Sequence, residues 1–318
     1  MLTLTGHSGQ VTALAFSPDG RWLATSGWDG SVRLWERPGC VLRRCLRTSY
    51  DHALTVGFSS DGARLLCSFR NRDFSRDFYG YGTIAWTTTL PAPGRGPDYL
   101  PHEDTWWAGN DMPARVVLCP GTHLVAVQEH RAVAIYDADK REPVRKCLVA
   151  PLKPGLNPLS PDLDAIAFSG DGRVLAALAS DRFDAAGAFC WEGSQRPVVL
   201  PIEHGRGQSL CFAPGTHELL VGLRTGRLVW WSLDDELDSR MVTVTASGIV
   251  DMAFSPDGRS ALLACEDGQV LHWDVKARQV RATYDWQIGT VRCVAFAPDG
   301  LTAAAGGDGV VLVWDIDS

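Results

Sequence analysis

The residues best suited by type to chemistry are His102, Glu103 and Asp104, three adjacent polar side chains with Asp111 nearby. An imidazole and three carboxylates could hold zinc or calcium. On a loop such groups are more often solvated, so no metal site is assigned. The other histidines, including His7, His123, His204, His217 and His272, are scattered along the chain at turns or within strand-like runs. No serine, histidine and acid form a recognisable nucleophile set, and Gly-x-Ser-x-Gly is absent. Gly-rich phosphate loops are absent as well, because each Asp-Gly closes a hairpin. None of the nine cysteines has Cys-x-x-Cys spacing, which argues against zinc and redox roles. The acidic run Asp234-Asp235-Glu236-Leu237-Asp238 reads as a soluble turn or a minor docking site for a basic peptide. These readings predict a noncatalytic chain without a cofactor.

The elements that would position such residues are short strands. Residues 11–36, VTALAFSPDGRWLATSGWDGSVRLWE, read as three strands and two tight turns. Pro18 presets φ for its turn and Gly20 accepts the left-handed conformation that closes it. The unit recurs. Phe16-Ser-Pro-Asp-Gly20 is echoed from Phe58, Phe168, Phe254 and Phe296, and more weakly from Phe212 and Leu118, making seven copies. Between them fall aromatics that end each third strand: Trp35, Trp86, Tyr136, Trp191, Trp231, Trp273 and Trp314.

This interleaving resembles the WD40 repeat family across essentially the whole chain, with Gly6-His7, Asp29-Gly30 and Trp35-Glu36 standing where that family's signature stands. The resemblance implies a seven-bladed β-propeller of four-stranded sheets. It also implies a hydrogen-bond network within a blade, for which His7, Thr25, Asp29 and Trp35 form the full set in the first copy. Later copies depart from it: Asp267 with Trp273 and Asp308 with Trp314 lack the histidine, so those blades should rest more on apolar packing.

The last copy stops at Trp314 to Ser318 without a fourth strand, whereas Leu2 to Leu4 stands at the offset of one. The N-terminal strand is therefore expected to complete the last blade, close the ring and remove an unpaired edge. Seven blades of roughly 40 to 45 residues each would use residues 1–318 as a single domain. No basic and apolar leader or membrane-length apolar run is visible, and cysteines such as Cys67, Cys211, Cys265 and Cys293 sit inside apolar strands. The expectation is a soluble, cytoplasmic protein with free thiols, not bound to a membrane. A net charge of −7 argues against a phosphate-binding stripe and hence against nucleic acid as a partner.

Copy lengths vary, and the excess falls at residues 70–82, 91–113, 150–162 and 181–187. Two of these insertions join second to third strands, and two are read as joining a fourth strand to the next blade. Because successive strands are antiparallel, both kinds of connection emerge on one face, over blades two to four. The insertions carry Arg72, Arg76, Phe78 and Tyr79, then Tyr99, Trp106 and Trp107, residue types that supply interface energy. The sequence thus predicts a scaffold or adaptor that binds a protein or peptide through this loop face. The bland alternative has the loops packing on one another as a cap. A further alternative is an enzyme or small-ligand binder whose pocket lies at the axial channel, walled by the same loops.

Overall fold

The computed structural model describes residues 1–47, 52–70, 82–86, 98–99, 105–107, 115–129, 132–149, 162–180, 186–193, 196–202, 205–234 and 239–316. Arg72, Arg76, Phe78, Tyr79, His102, Glu103, Asp104 and Asp111 lie outside the described residues. The fold is all-β, and its sheets are antiparallel and four-stranded, like propeller blades. Five are separate: those that begin at His52–Phe58, Val116–Leu118, Asp162–Phe168, Gly207–Phe212 and Ile249–Phe254. The remaining strands form an eight-stranded sheet, in spatial order Cys293–Phe296, Thr302–Gly306, Asp308–Asp315, Leu2–Phe16, Trp22–Gly27, Ser31–Glu36, Val41–Arg47 and Asp98–Tyr99.

The long strand Leu2–Phe16 belongs to two four-stranded units. Its start, Leu2 to Thr5, pairs with Val313 to Val310. Its end, Val11 to Phe16, pairs with Gly27 to Leu23. One strand is thus outermost in the last unit and innermost in the first. In chain order the units are numbered one to seven, with the first beginning at residue 11 and the seventh at Cys293–Phe296.

Apolar surface explains why the units stack. Each buries both faces of its second strand, as in Val174–Ser180, where all seven residues are buried. Leu178 and Ala176 pack with Leu210, Leu219 and Leu223 of unit five, whereas Ala177 and Leu175 pack with Val133 and Ile135 of unit three. The same arrangement joins unit seven to unit one, where Ala304, Val311 and Val313 share a cluster with Leu4, Val11, Leu23 and Trp35. Alanines at Ala303, Ala304 and Ala305, all 0% exposed, let neighbouring sheets approach closely.

The recurring turn owes its form to two side chains. Ser169 Oγ donates to Asp171 Oδ1 at 2.6 Å, and Ser255 Oγ to Asp257 Oδ1 at 2.6 Å. The same aspartates accept the backbone N–H groups of Arg173 and Arg259 at 3.0 Å. These bonds fix the Asp-Gly pair, whose Gly172 and Gly258 have φ of 71° and 68°.

One expectation is corrected. The fourth strand of unit two is Thr105–Trp107, paired with Gly82–Trp86, so Trp106 and Trp107 belong to a sheet. The extra length assigned to 91–113 therefore falls chiefly between the third and fourth strands, at 87–104. Such a connection emerges on the face opposite to that of the other three insertions. The cause is local: aromatic and β-branched residues favour a pleated strand, and a ladder partner stood ready. Tyr99 also lies in a short strand, Asp98–Tyr99, which adds in parallel to the outer edge of Val41–Arg47.

All nine cysteines are free, and seven of them are buried. Burial pushes the thiols of Cys190 and Cys265 up to about 12. Among the described residues, no helix is long and apolar enough to cross a membrane.

Candidate interaction surface at the channel mouth

The first strand of every unit borders one cavity of about 760 Å³. Aligned on the residue that ends each first strand, Phe or Leu118, the position two before it is Leu14, Val56, Val116, Ile166, Leu210, Met252 or Val294. All of these are apolar and all line the cavity. The two preceding positions are mixed. They include Thr12, Thr55, Arg115, Asp164, Gln208, Ser209, Asp251 and Arg292. In units one, two, four, five and six a β-bulge falls here, with register shifts at Val11/Ala13, Ala53/Thr55, Leu163/Ala165, Gly207/Ser209 and Ile249/Asp251. A bulge re-aims the side chain at the extra residue, which here is Thr12, Leu54, Asp164, Gln208 or Val250, so the backbone accounts for part of the polar collar.

Part of this collar ties unit to unit. Thr12 Oγ1 donates to Ala53 O at 2.7 Å, Gln128 Nε2 to Leu163 O at 2.7 Å and Ser209 Oγ to Ile249 O at 2.9 Å. The Val294 N–H donates to Asp251 Oδ2 at 2.9 Å. Burial lifts the Asp251 carboxyl to about 6, even though the Val294 and Met252 N–H groups and Arg115 favour its ionised form. Arg115 itself is pulled below its ordinary value by burial, against the attraction of Asp251 and Asp164. It is nonetheless exposed in area, because it borders this cavity.

At the rim stands Trp28, on the turn between the second and third strands of unit one and 46% exposed. The Arg292 guanidinium lies 5.6 Å from its ring centroid and the His52 ring 5.8 Å from it. His52 Nδ1 is 2.9 Å from Trp28 O. Around them Gln10 Nε2 donates to Asp308 Oδ1 at 3.1 Å, and Gln208 Nε2 to Glu266 Oε1 at 2.6 Å. An exposed indole in a rim of polar groups is of the residue type and setting that interfaces favour. The strand ends Arg70 and Gly82, Leu148 and Asp162, and Ser180 and Ala186 stand toward this same face, because each pair closes a second or fourth strand and opens the next.

Beside the rim, the four residues His7, Thr25, Asp29 and Trp35 sit in one chain of hydrogen bonds. Trp35 Nε1 donates to Thr25 Oγ1 at 3.1 Å, and Thr25 Oγ1 lies 2.8 Å from His7 Nε2. His7 Nδ1 is 3.1 Å from both carboxylate oxygens of Asp29, so this nitrogen carries the proton. Asp29 also accepts from Ser31 Oγ at 2.7 Å and from Ser8 N at 3.1 Å. Burial opposes its ionisation, but the bonds from His7 and Ser31 prevail and hold the carboxyl well below its ordinary value. The chemistry is structural, since every polar atom of the set has its partner inside the unit. In other units the closing tryptophan lacks such a partner: the Nε1 atoms of Trp191 and Trp314 are buried without one. Trp314 packs instead on Trp286 at 4.6 Å and Tyr284 at 5.4 Å.

Of the residues expected to contact a partner, Tyr99, Trp106 and Trp107 are placed in strands, and Arg72, Arg76, Phe78 and Tyr79 fall outside the described residues. Trp28, Arg115, Asp164, Asp251 and Arg292 were not singled out from the sequence. A signal existed: a charge inside an otherwise apolar first strand, as in Ile249–Phe254, reads IVDMAF. Among the described residues, no three His, Cys, Asp or Glu side chains are grouped to hold a metal ion.

The sequence profile of the family described as WD domain, G-beta repeat matches residues 1–36, 239–274 and 279–315. Each match starts on the outer strand of one unit and runs through three strands of the next, so a sequence repeat clips two sheets together. Among curated proteins, the chain is 51% identical over 119 residues to WD repeat-containing protein 36 of Homo sapiens, covering 37% of this chain and 11% of that protein. It is 44% identical over 56 residues to Target of rapamycin complex subunit wat1 of Schizosaccharomyces pombe, covering 18% and 17%. It is 25% identical over 189 residues to Small ribosomal subunit protein RACK1 of Neurospora crassa, covering 57% and 52%. The chain thus spans about half or less of the length of these relatives.

Proposed function

We propose that this chain, which belongs to the WD40-repeat family, is a noncatalytic scaffold or adaptor: a single seven-bladed propeller over residues 1–318 that holds a protein partner against its channel face. Ring closure through the N-terminal strand is supported by the pairing of Leu2 to Thr5 with the last strand and by the apolar cluster that units seven and one share. The observation that carries the function is Trp28, a half-exposed indole on a rim of interlocked sheets, flanked by Arg292 and His52. A rigid ring of loop tips lowers the ordering cost of association. Two of the relatives are named as members of larger assemblies, a target of rapamycin complex and a small ribosomal subunit, which fits an adaptor role. The second of those names leaves open whether RNA belongs to the assembly, so protein is the contact proposed for this face alone. Arg72, Arg76, Phe78 and Tyr79 would extend the same surface from the 70–82 connection.

The test is quantitative capture from native lysate with the wild-type chain, with Trp28→Ala and with a variant shortened at 71–81 and 151–161. Loss of a specific protein from either variant, with unchanged thermal unfolding, supports the channel face. Retention of every captured protein by both moves the partner surface to the opposite face or to the outer strands.

A further inference from the structure

The channel runs against the charge of the molecule around it. The chain carries a net charge of −7, yet among the described residues its cavity is lined by Arg115, Arg206, Arg224 and Arg292 against Asp164 and Asp251. Both acids are engaged. Asp164 accepts from Ser180 Oγ at 2.5 Å, and Asp251 accepts the Val294 N–H at 2.9 Å. Two of the arginines are not: neither Arg115 nor Arg292 has an acceptor for its guanidinium N–H groups among the described residues. Arg292 only lies over the Trp28 ring, and Arg115 only feels Asp251 and Asp164 at a distance.

Both guanidiniums border the same cavity. Arg115 directly precedes the first strand of unit three and lies within electrostatic reach of Asp251 and Asp164, and Arg292 directly precedes the first strand of unit seven, Cys293–Phe296, with its guanidinium over Trp28 of unit one. Beneath them the wall turns apolar at Val116, Met252 and Val294. Each guanidinium presents five N–H donors in a planar fork that matches carboxylate and phosphate oxygens. With walls of low dielectric, two unpaired cations in a shared concavity attract an anion far more strongly than two on an open surface. The volume, about 760 Å³, suits a small molecule.

We propose that this cavity is a binding site for a small multivalent oxyanion, a polycarboxylate or a polyphosphate, held by Arg115 and Arg292 from its wall. The site shares Arg292 with the proposed partner-binding rim but is read by anion titration alone, so failed protein capture leaves it standing. Carboxylate and phosphate share the fork geometry, and the assay separates them.

Isothermal titration of the full chain with citrate and with pyrophosphate, at constant ionic strength, tests the site on wild type, R115Q, R292Q, R115K and R259Q. Arg259 is 85% exposed in its side chain and faces only Asp257, so R259Q changes the net charge equally but away from the channel. Saturable binding of one anion class is expected, weakened about tenfold or more by R115Q and by R292Q, partly retained by R115K and unchanged in R259Q. Each variant is first checked by circular dichroism, and if R115Q does not fold, R292Q and R115K carry the test. The proposal is overturned by an absence of saturable heat with both anions, by wild-type affinity in the glutamine variants, or by an equal loss in R259Q.

Discussion

Replacing Asp251 with asparagine should make the protein more stable at neutral pH. Its carboxyl lies at about 6 in the folded chain against an ordinary 3.8, because burial at the axis penalises the ionised form more than the Val294 and Met252 N–H groups and Arg115 reward it. A folded value above the unfolded one means that the folded chain binds more protons between them, so the stability from this group is full below about 3.8 and is lost as pH rises through 6. Roughly two pH units at about 1.4 kcal/mol each set a ceiling of about 3 kcal/mol. Contact with channel water reduces this to about 1–3 kcal/mol. Asparagine keeps an oxygen to accept the Val294 N–H and removes the charge. The assay is urea unfolding followed by tryptophan fluorescence, for wild type and Asp251→Asn at steps from pH 4 to 8. The difference between the two profiles isolates Asp251 from the other acids, such as Asp171 and Asp257, which are held low by their turn serines and lose stability in the opposite direction as pH falls. The variant should gain progressively between pH 4 and 6 and hold a constant advantage above. A variant less stable than wild type at pH 7.5 would refute the reasoning, because the attraction of Arg115 would then outweigh the cost of burial.

Two further outcomes follow from packing and bonding. Thr25→Val keeps the shape of a residue that is 0% exposed but strips partners from both His7 Nε2 and Trp35 Nε1. It should cost about 2–4 kcal/mol, measured by the same unfolding assay, and a loss below about 0.5 kcal/mol would show that the network contributes little. The Asp29 part of that network is present above pH 3.8 and fades only as pH falls toward the depressed folded value. Removing residues 1–5 strips the ladder partners from Val310 to Val313 and takes Leu4 out of the cluster between units seven and one, so thermal unfolding should shift down by several degrees or more. An unchanged midpoint would count against the N-terminal strand as a structural closure.

How much of this was legible in the sequence differs by element. The Phe-Ser-x-Asp-Gly copies were visible because serine, aspartate and glycine each have a fixed task in the turn, seen again at Ser169, Asp171 and Gly172. The set His7, Thr25, Asp29 and Trp35 was named from a repeat signature, and its members meet within hydrogen-bond distance. The strand Thr105–Trp107 was missed, because within a long segment three residues of strand propensity look no different from a loop that carries aromatics. Its partner, Gly82–Trp86, is separated from it by the 18 residues 87–104, and only the ladder reveals the pairing.

What the sequence determined by itself was therefore periodic and local: turns, alternating strands, the number of copies and the spare strand at Leu2 to Leu4. Such features are set by backbone preferences within a few residues, and repetition amplifies a weak signal sevenfold. Only the tertiary structure decided the channel. Arg115, Asp164, Asp251 and Arg292 come from four units, each in or directly before a first strand, and nothing local marks them as sharing a cavity. The stacking of the first strands, with a bulge at Asp164 in its own unit, brings them to one concavity. Their charge states follow from burial and from one another, which are properties of the folded neighbourhood.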